Sequence, residues 1–119
     1  VILEGEKTNP YPYIKNADLM VHTSFVESQC LTVLEAFSLS VPCIVTESIG
    51  PKEFIINGIN GILTGHDSRQ IANEIINLIN NDNVYYCIKR NTLRVVKNNY
   101  STYKIINMIE NLIDNGGIN

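Results

Sequence analysis

Residues 17–36 constrain the fold of this chain more than any other stretch. Leu19-Met20-Val21-His22-Thr23-Ser24 reads as a strand, which stops at a polar loop and passes at once into a helix beginning at Leu31. A strand that feeds directly into a helix is the repeating unit of a parallel sheet. In such sheets ligands sit beyond the carboxyl ends of the strands, where the next helix offers unpaired N–H groups and a dipole that favours an anion. Glu27 falls at that place, and Glu35 lies inside the helix.

The alternation continues along the chain. Pro10 and Pro12 mark a turn, followed by a short helix over 13–16. After the helix over 31–39, the segment Ser40-Val41-Pro42 predicts a turn and 43–46 an apolar strand. Gly50-Pro51 opens a brief helix through Ile56, and the pairs Asn57-Gly58 and Asn60-Gly61 predict a tight turn into a strand over 61–64. The last third reads as helical. Asp67-Ser68-Arg69-Gln70 is a helix start, with Ile71, Ile75, Leu78 and Ile79 on one face behind it. A second helix is expected over 84–97 with Val84, Ile88 and Val95 inward, and a third from Ser101, with Ile105, Ile109 and Leu112 apolar and Gly116-Gly117 at its exit. The expected fold class is therefore α/β, a three-layer Rossmann-like parallel sheet flanked by helices, truncated at its N-terminus and helical at its C-terminal end. The 119 residues are read as one domain.

Composition narrows the function classes. A net charge of -3 argues against a nucleic-acid surface. Cys30, Cys43 and Cys87 are far apart and lack C-x-x-C spacing, which suggests neither a disulfide framework nor a zinc site and fits a reducing cytoplasm. No apolar run reaches the length of a transmembrane helix. Lys89, Arg90, Arg94, Lys97 and Lys104 concentrate positive charge near the end, read as a solvated face rather than a lipid-headgroup patch.

By spacing alone, Thr32-Val33-Leu34-Glu35 is a capping box in which Glu35 bonds back to the Thr32 N–H. The surrounding residues change that weighting. Asn9-Pro10-Tyr11-Pro12-Tyr13-Ile14, Ala17-Asp18-Leu19, Ser24, Glu27, Leu31 to Ala36, Pro42 to Thr46, Gly50-Pro51-Lys52-Glu53, Asn57-Gly58 and Asn60-Gly61-Ile62-Leu63 occur in that order. Together they resemble the C-terminal, donor-binding domain of the group 1 glycosyltransferases, retaining enzymes built from two Rossmann-like domains. The likeness is close over residues 1–80, and its central signature is E-x7-E, here Glu27 and Glu35.

The resemblance implies a nucleotide-sugar donor, a UDP-sugar, and transfer of a hexosyl group to a glycan or glycolipid in cell-surface polysaccharide synthesis. It implies that Glu27, assigned as catalytic, holds the donor sugar with Ser28 and Gln29, and that Glu35 holds the ribose hydroxyls. The backbone N–H groups of Cys30, Leu31 and Thr32, at the helix start, are expected to face the diphosphate. No metal and no cofactor beyond the donor are implied. The acceptor domain and a cationic grip on the diphosphate are expected to be absent, so that the chain is a fragment, inactive alone, of a cytoplasmic enzyme that lies at the inner face of the membrane. Val1 to Gly5 is expected to be a strand that has lost its neighbours, and so to be displaced or paired with another molecule.

Departures from the family pattern are Ser28 and Ser40, where glycine is usual, and Gln29, where an aromatic is common. His22 is expected to be buried and hydrogen-bonded and His66 exposed. Glu53 is expected to complement a helix dipole from a first turn, and Lys52 is a weaker candidate for a phosphate contact. A glycosidase built on Glu27 and Glu35 is disfavoured because the pair brackets a helix start that invites a phosphate. The remaining alternatives are a sugar-nucleotide epimerase of the same architecture and a non-catalytic Rossmann-like module in which Glu35 only caps a helix.

Overall fold

The structure, a computed structural model, describes residues 1–99 and Asn111. The helix expected from Ser101, together with Lys104, lies outside the described residues. In order the elements are α1 (Tyr11–Lys15), β1 (Met20–His22), α2 (Leu31–Ser38), β2 (Cys43–Thr46), α3 (Ile49–Lys52), β3 (Ile62–Thr64), α4 (Ser68–Ile79) and α5 (Asp82–Asn99). The strands form a parallel sheet in the order β1-β2-β3. Its register pairs Met20 with Cys43 and His22 with Val45, then Ile44 with Ile62 and Thr46 with Thr64.

β2 is the centre of the molecule because all four of its side chains are buried. Successive side chains on a strand point to opposite faces. Cys43 and Val45 therefore join Val33, Ala36 and Phe37 of α2 in one core, with Phe54 and Ile55. Ile44 joins Ile62, Leu78 of α4 and Ile88 of α5 in a second core on the other face. Helices thus cover both faces, as the sequence predicts for a three-layer α/β fold. α5 serves both cores: Ile88 belongs to the second, while Val95 and Val96 pack on the first.

Local chemistry explains the element ends. Asp67 caps α4, its Oδ1 accepting from the N–H groups of Arg69 at 2.9 Å and Gln70 at 3.2 Å. α2 ends with Ser40 in the left-handed region at φ 58°, where glycine is favoured, while the Val41 N–H returns to the Ala36 carbonyl at 2.9 Å. Ser40 thus takes the helix-end place where the family pattern has glycine. The Asn-Gly turn is held by buried Asn60, which accepts from the Ile56 N–H at 2.7 Å and donates to the Phe54 carbonyl at 2.8 Å.

Val1 to Gly5 meets the expectation of a displaced segment: it forms no strand, Val1, Ile2 and Leu3 are exposed, and β1 is left at the sheet edge. Two expectations are corrected. Ile79 is exposed rather than inward, because it lies at the rim of the stripe defined by Ile71, Ile75 and Leu78. Val84 is at the exposed limit in the first turn of α5, and the buried residue that the apolar pattern missed is Thr92, whose hydroxyl bonds the Lys89 carbonyl at 2.9 Å.

Phe37 is fully buried and meets Phe54 edge-on, with ring centroids 5.9 Å apart. Phe37→Ala is expected to cost about 3–5 kcal/mol. Urea denaturation followed by circular dichroism measures it, and a loss below about 1 kcal/mol would contradict this account of the core.

Candidate functional site

β1 and β2 end level, and the loops that follow them are bound together. The Thr46 hydroxyl at the end of β2 donates to the Ser24 carbonyl at 2.6 Å. The Gly50 N–H donates to the Glu27 carbonyl at 3.0 Å. A Cβ on Gly50 would lie 2.6 Å from the Ser28 carbonyl oxygen and 2.9 Å from that of Glu27, so only glycine permits this approach. Between the loops lies a cavity of about 450 Å³, lined by Phe25, Val26, Glu27, Ser28, Ser48, Ile49 and Glu53.

Glu27 is fixed from two sides. Its Oε1 accepts from the Cys30 N–H at 3.4 Å, and its Oε2 lies 3.4 Å from His22 Nε2. His22 is largely buried, but its Nε2 makes no aligned hydrogen bond, so the expectation of a satisfied core histidine is corrected. Ser48 Oγ is likewise buried and unpaired. These two atoms are the buried side-chain polar atoms without partners among the described residues, and both stand at the carboxyl ends of adjacent strands.

Cys30 forms the N-cap of α2 in the left-handed region, at φ 52° and ψ 45°. Its thiol is pushed up to about 11 by burial and by the negative charge of Glu27. Burial raises the Cys43 thiol as well, and Cys30 adds to it. Leu31 and Thr32 are the first two residues of α2, and a helix provides no partner for their N–H groups. Of the three N–H groups expected to face a diphosphate, that of Cys30 is engaged by Glu27. Ser28 lines the cavity; Gln29 is exposed and stands outside its lining.

Glu35 caps nothing. The cap is Cys30, two residues before Thr32, which removes the geometry of a Thr-x-x-Glu box. Instead Glu35 Oε1 accepts a hydrogen bond from the Tyr11 hydroxyl at 3.2 Å. Tyr11 and Glu35, with Ser38 and Leu39, line a second cavity of about 310 Å³.

Other residues take places that the sequence did not indicate. Lys52 is bound to Glu47 at 2.7 Å. Glu53 is at the C-terminal end of α3, not its first turn, so a favourable dipole contact is replaced by a place in the cavity wall. His66 is exposed as expected, yet it stacks on Phe25 with centroids 4.7 Å apart and its Nε2 lies 3.2 Å from the Glu47 carbonyl. An exposed Phe25 beside the motif was the available signal for an aromatic partner. Among the described residues no three His, Cys, Asp or Glu side chains gather in a metal-binding group, and no helix is long and apolar enough to cross a membrane.

Comparison with known proteins gives a consistent result. A family model, glycosyl transferases group 1, matches residues 1–112. The poly(ribitol-phosphate) alpha-N-acetylglucosaminyltransferase of Staphylococcus aureus (strain COL) is 33% identical over 84 residues, which is 69% of this chain and 17% of that protein. The capsular polysaccharide biosynthesis glycosyltransferase CapM of Staphylococcus aureus is 28% identical over 113 residues, 94% of this chain and 30% of CapM. Among solved structures, the C-terminal domain of the group 1 family protein LpcC from Francisella tularensis gives a TM-score of 0.74 at 25% identity, over 86% of this chain and 53% of that one. Anabaena HepE in complex with UDP gives 0.80 at 24% identity, over 87% of this chain and 29% of HepE. The chain spans less than a third of the length of the curated relatives it matches.

Two outcomes follow from the site geometry. Gly50→Ala is expected to force the loops apart at a cost of about 1–3 kcal/mol and to shift the amide resonances of residues 27–30. Unchanged resonances would contradict the close approach. The folded-state value of Cys30 lies above its ordinary 9.0, so the native chain holds more protons than the unfolded one between those values. The contribution of Cys30 to stability is full below about 9 and falls as pH rises through about 11. Urea midpoints at about pH 8 and pH 10 should fall more in the wild type than in Cys30→Ala.

Proposed function

The chain belongs to the group 1 glycosyltransferases, and on that premise we propose that residues 1–119 form part of the donor-binding domain of an enzyme that takes a UDP-sugar. The enzyme transfers the hexosyl group, with retention, to a glycan or glycolipid of the cell surface, and the acceptor is held by another domain of the intact protein. Cell-surface acceptors are supported by the kind of product that the names of the Staphylococcus aureus relatives describe. Uridine is our choice of base, the one present in the HepE structure that shares this fold.

The observation that carries the proposal is the placement of both motif glutamates around the start of α2, with the free N–H groups of Leu31 and Thr32 between them. A carboxylate accepts hydrogen bonds at about four lone-pair positions. Glu27, held by the Cys30 N–H, is turned to the larger cavity and receives hydroxyls of the donor sugar. His22 Nε2 lies 3.4 Å from the other carboxylate oxygen and backs it from the buried side. The diphosphate lies at the helix start, where the dipole favours the charge that grows as the leaving group departs. Glu35 receives the ribose hydroxyls. In retaining transfer the leaving phosphate guides the acceptor to the face it vacates, so neither glutamate has to act as a nucleophile and no metal is assigned.

Ligand-observed NMR with uridine, guanosine and adenosine diphosphates tests this reading. With part of a site, UDP is expected to bind at around millimolar, or about 4 kcal/mol. Saturation transfer to its ribose protons should disappear in Glu35→Ala. Glu27→Gln should weaken UDP-glucose by about tenfold while changing UDP little. UDP binding that is indifferent to Glu35→Ala would sink the assignment.

A further inference from the structure

Tyr11 stands 24 residues before Glu35 in the chain, and the fold brings its hydroxyl to the carboxylate. Three features fix that meeting. Pro10 and Pro12 set the start of α1, and the Tyr11 N–H bonds Asn9 Oδ1 at 3.2 Å. Ile14 of the same helix packs on the core that contains α2. α1 buries none of its residues, so Tyr11 is not there to fill a core.

We propose that Tyr11 is a positioning residue for nucleotide binding: its hydroxyl holds Glu35 in a fixed orientation, and its ring walls the cavity that takes the nucleoside. This inference rests on the donor-site reading given above. An ionised carboxylate only accepts hydrogen bonds, so the proton of this pair stays on the phenol. In agreement, the Tyr11 hydroxyl is raised above its ordinary value, first by the hydrogen bond to Glu35 and then by its charge. The bond occupies one lone pair of Oε1. Oε2 and the second lone pair of Oε1 remain for two neighbouring hydroxyls, which is the demand of a ribose. A half-buried glutamate on a helix otherwise samples more than one rotamer, and restraining it before the ligand arrives removes part of the ordering cost of binding. The half-exposed ring of Tyr11 lines the same cavity as Glu35, Ser38 and Leu39 and offers an aromatic face at the nucleoside end.

The test is a double-mutant cycle on this chain with UDP as the probe. Tyr11→Phe removes only the hydroxyl and leaves the melting temperature unchanged. It is expected to raise the Kd for UDP by about fivefold in the wild-type background and by less than about twofold in Glu35→Gln. Tyrosine absorbance titration provides a second readout, in which Glu35→Gln moves the ionisation of Tyr11 to lower pH. Wild-type affinity in Tyr11→Phe, with binding still lost in Glu35→Ala, would overturn the inference and leave the donor site standing. Equal weakening in both backgrounds would also overturn it, since Tyr11 would then act independently of Glu35. Binding that ignores Glu35→Ala as well would bring down the donor-site reading itself.

Discussion

The site exists because two loops share one backbone hydrogen bond, from the Gly50 N–H to the Glu27 carbonyl. A single such bond contributes little net stability. Its importance is steric, since it can form only if residue 50 has no side chain to strike the Ser28 carbonyl. The parallel register makes the meeting possible by ending β1 and β2 level, with His22 opposite Val45. Thr46 adds a second tie, from β2 to the Ser24 carbonyl. Glu27 is therefore tied to the loops of two neighbouring strands and to the start of the helix that follows the first.

The helix that bears Glu35 depends on a more distant element. α2 packs on one face of the sheet, and α5 packs against α2 while also reaching the opposite core through Ile88. Tyr85 of α5 donates to the Asp18 carbonyl at 2.7 Å, just before β1, and Asn91 donates to the Ile59 carbonyl at 3.0 Å. α5 thus holds both ends of the structure that frames the site. Loosening it would move α2, and with it the spacing between the two glutamates, without touching either of them.

How much was legible in the sequence follows from the range of each interaction. β2 was read to the residue because Cys43 to Thr46 are buried on both faces and give an uninterrupted apolar run. β1 is shorter than the strand expected over 19–24 because its ladder ends at His22, and Thr23 and Ser24 already belong to the loop. The start of α2 was legible, but its cap was not. Thr32-x-x-Glu35 imitates a capping box, and only the structure shows that Cys30 has turned left-handed two residues earlier. Tyr11 and Gly50 were legible as residues of the family pattern, and Phe25 as an aromatic beside the motif, but the partners they meet were not. Each acquires its meaning from a residue far away in the chain, and local pattern carries no information about such pairs.

If the donor site is as proposed, the charge balance at α2 calls for more protein around it. A nucleoside diphosphate brings at least two negative charges to a helix end that offers about half a positive one. Glu27 adds a further negative charge close to the same N–H groups and already occupies that of Cys30. The cation nearest in sequence to the loop that closes the site, Lys52, is neutralised by Glu47. Hydrogen bonds and dipoles can orient a diphosphate here, but they cannot balance it. Tight binding therefore requires cationic side chains from beyond this pair of loops, and the relatives, more than three times as long as the stretch they share with this chain, have the length to supply them.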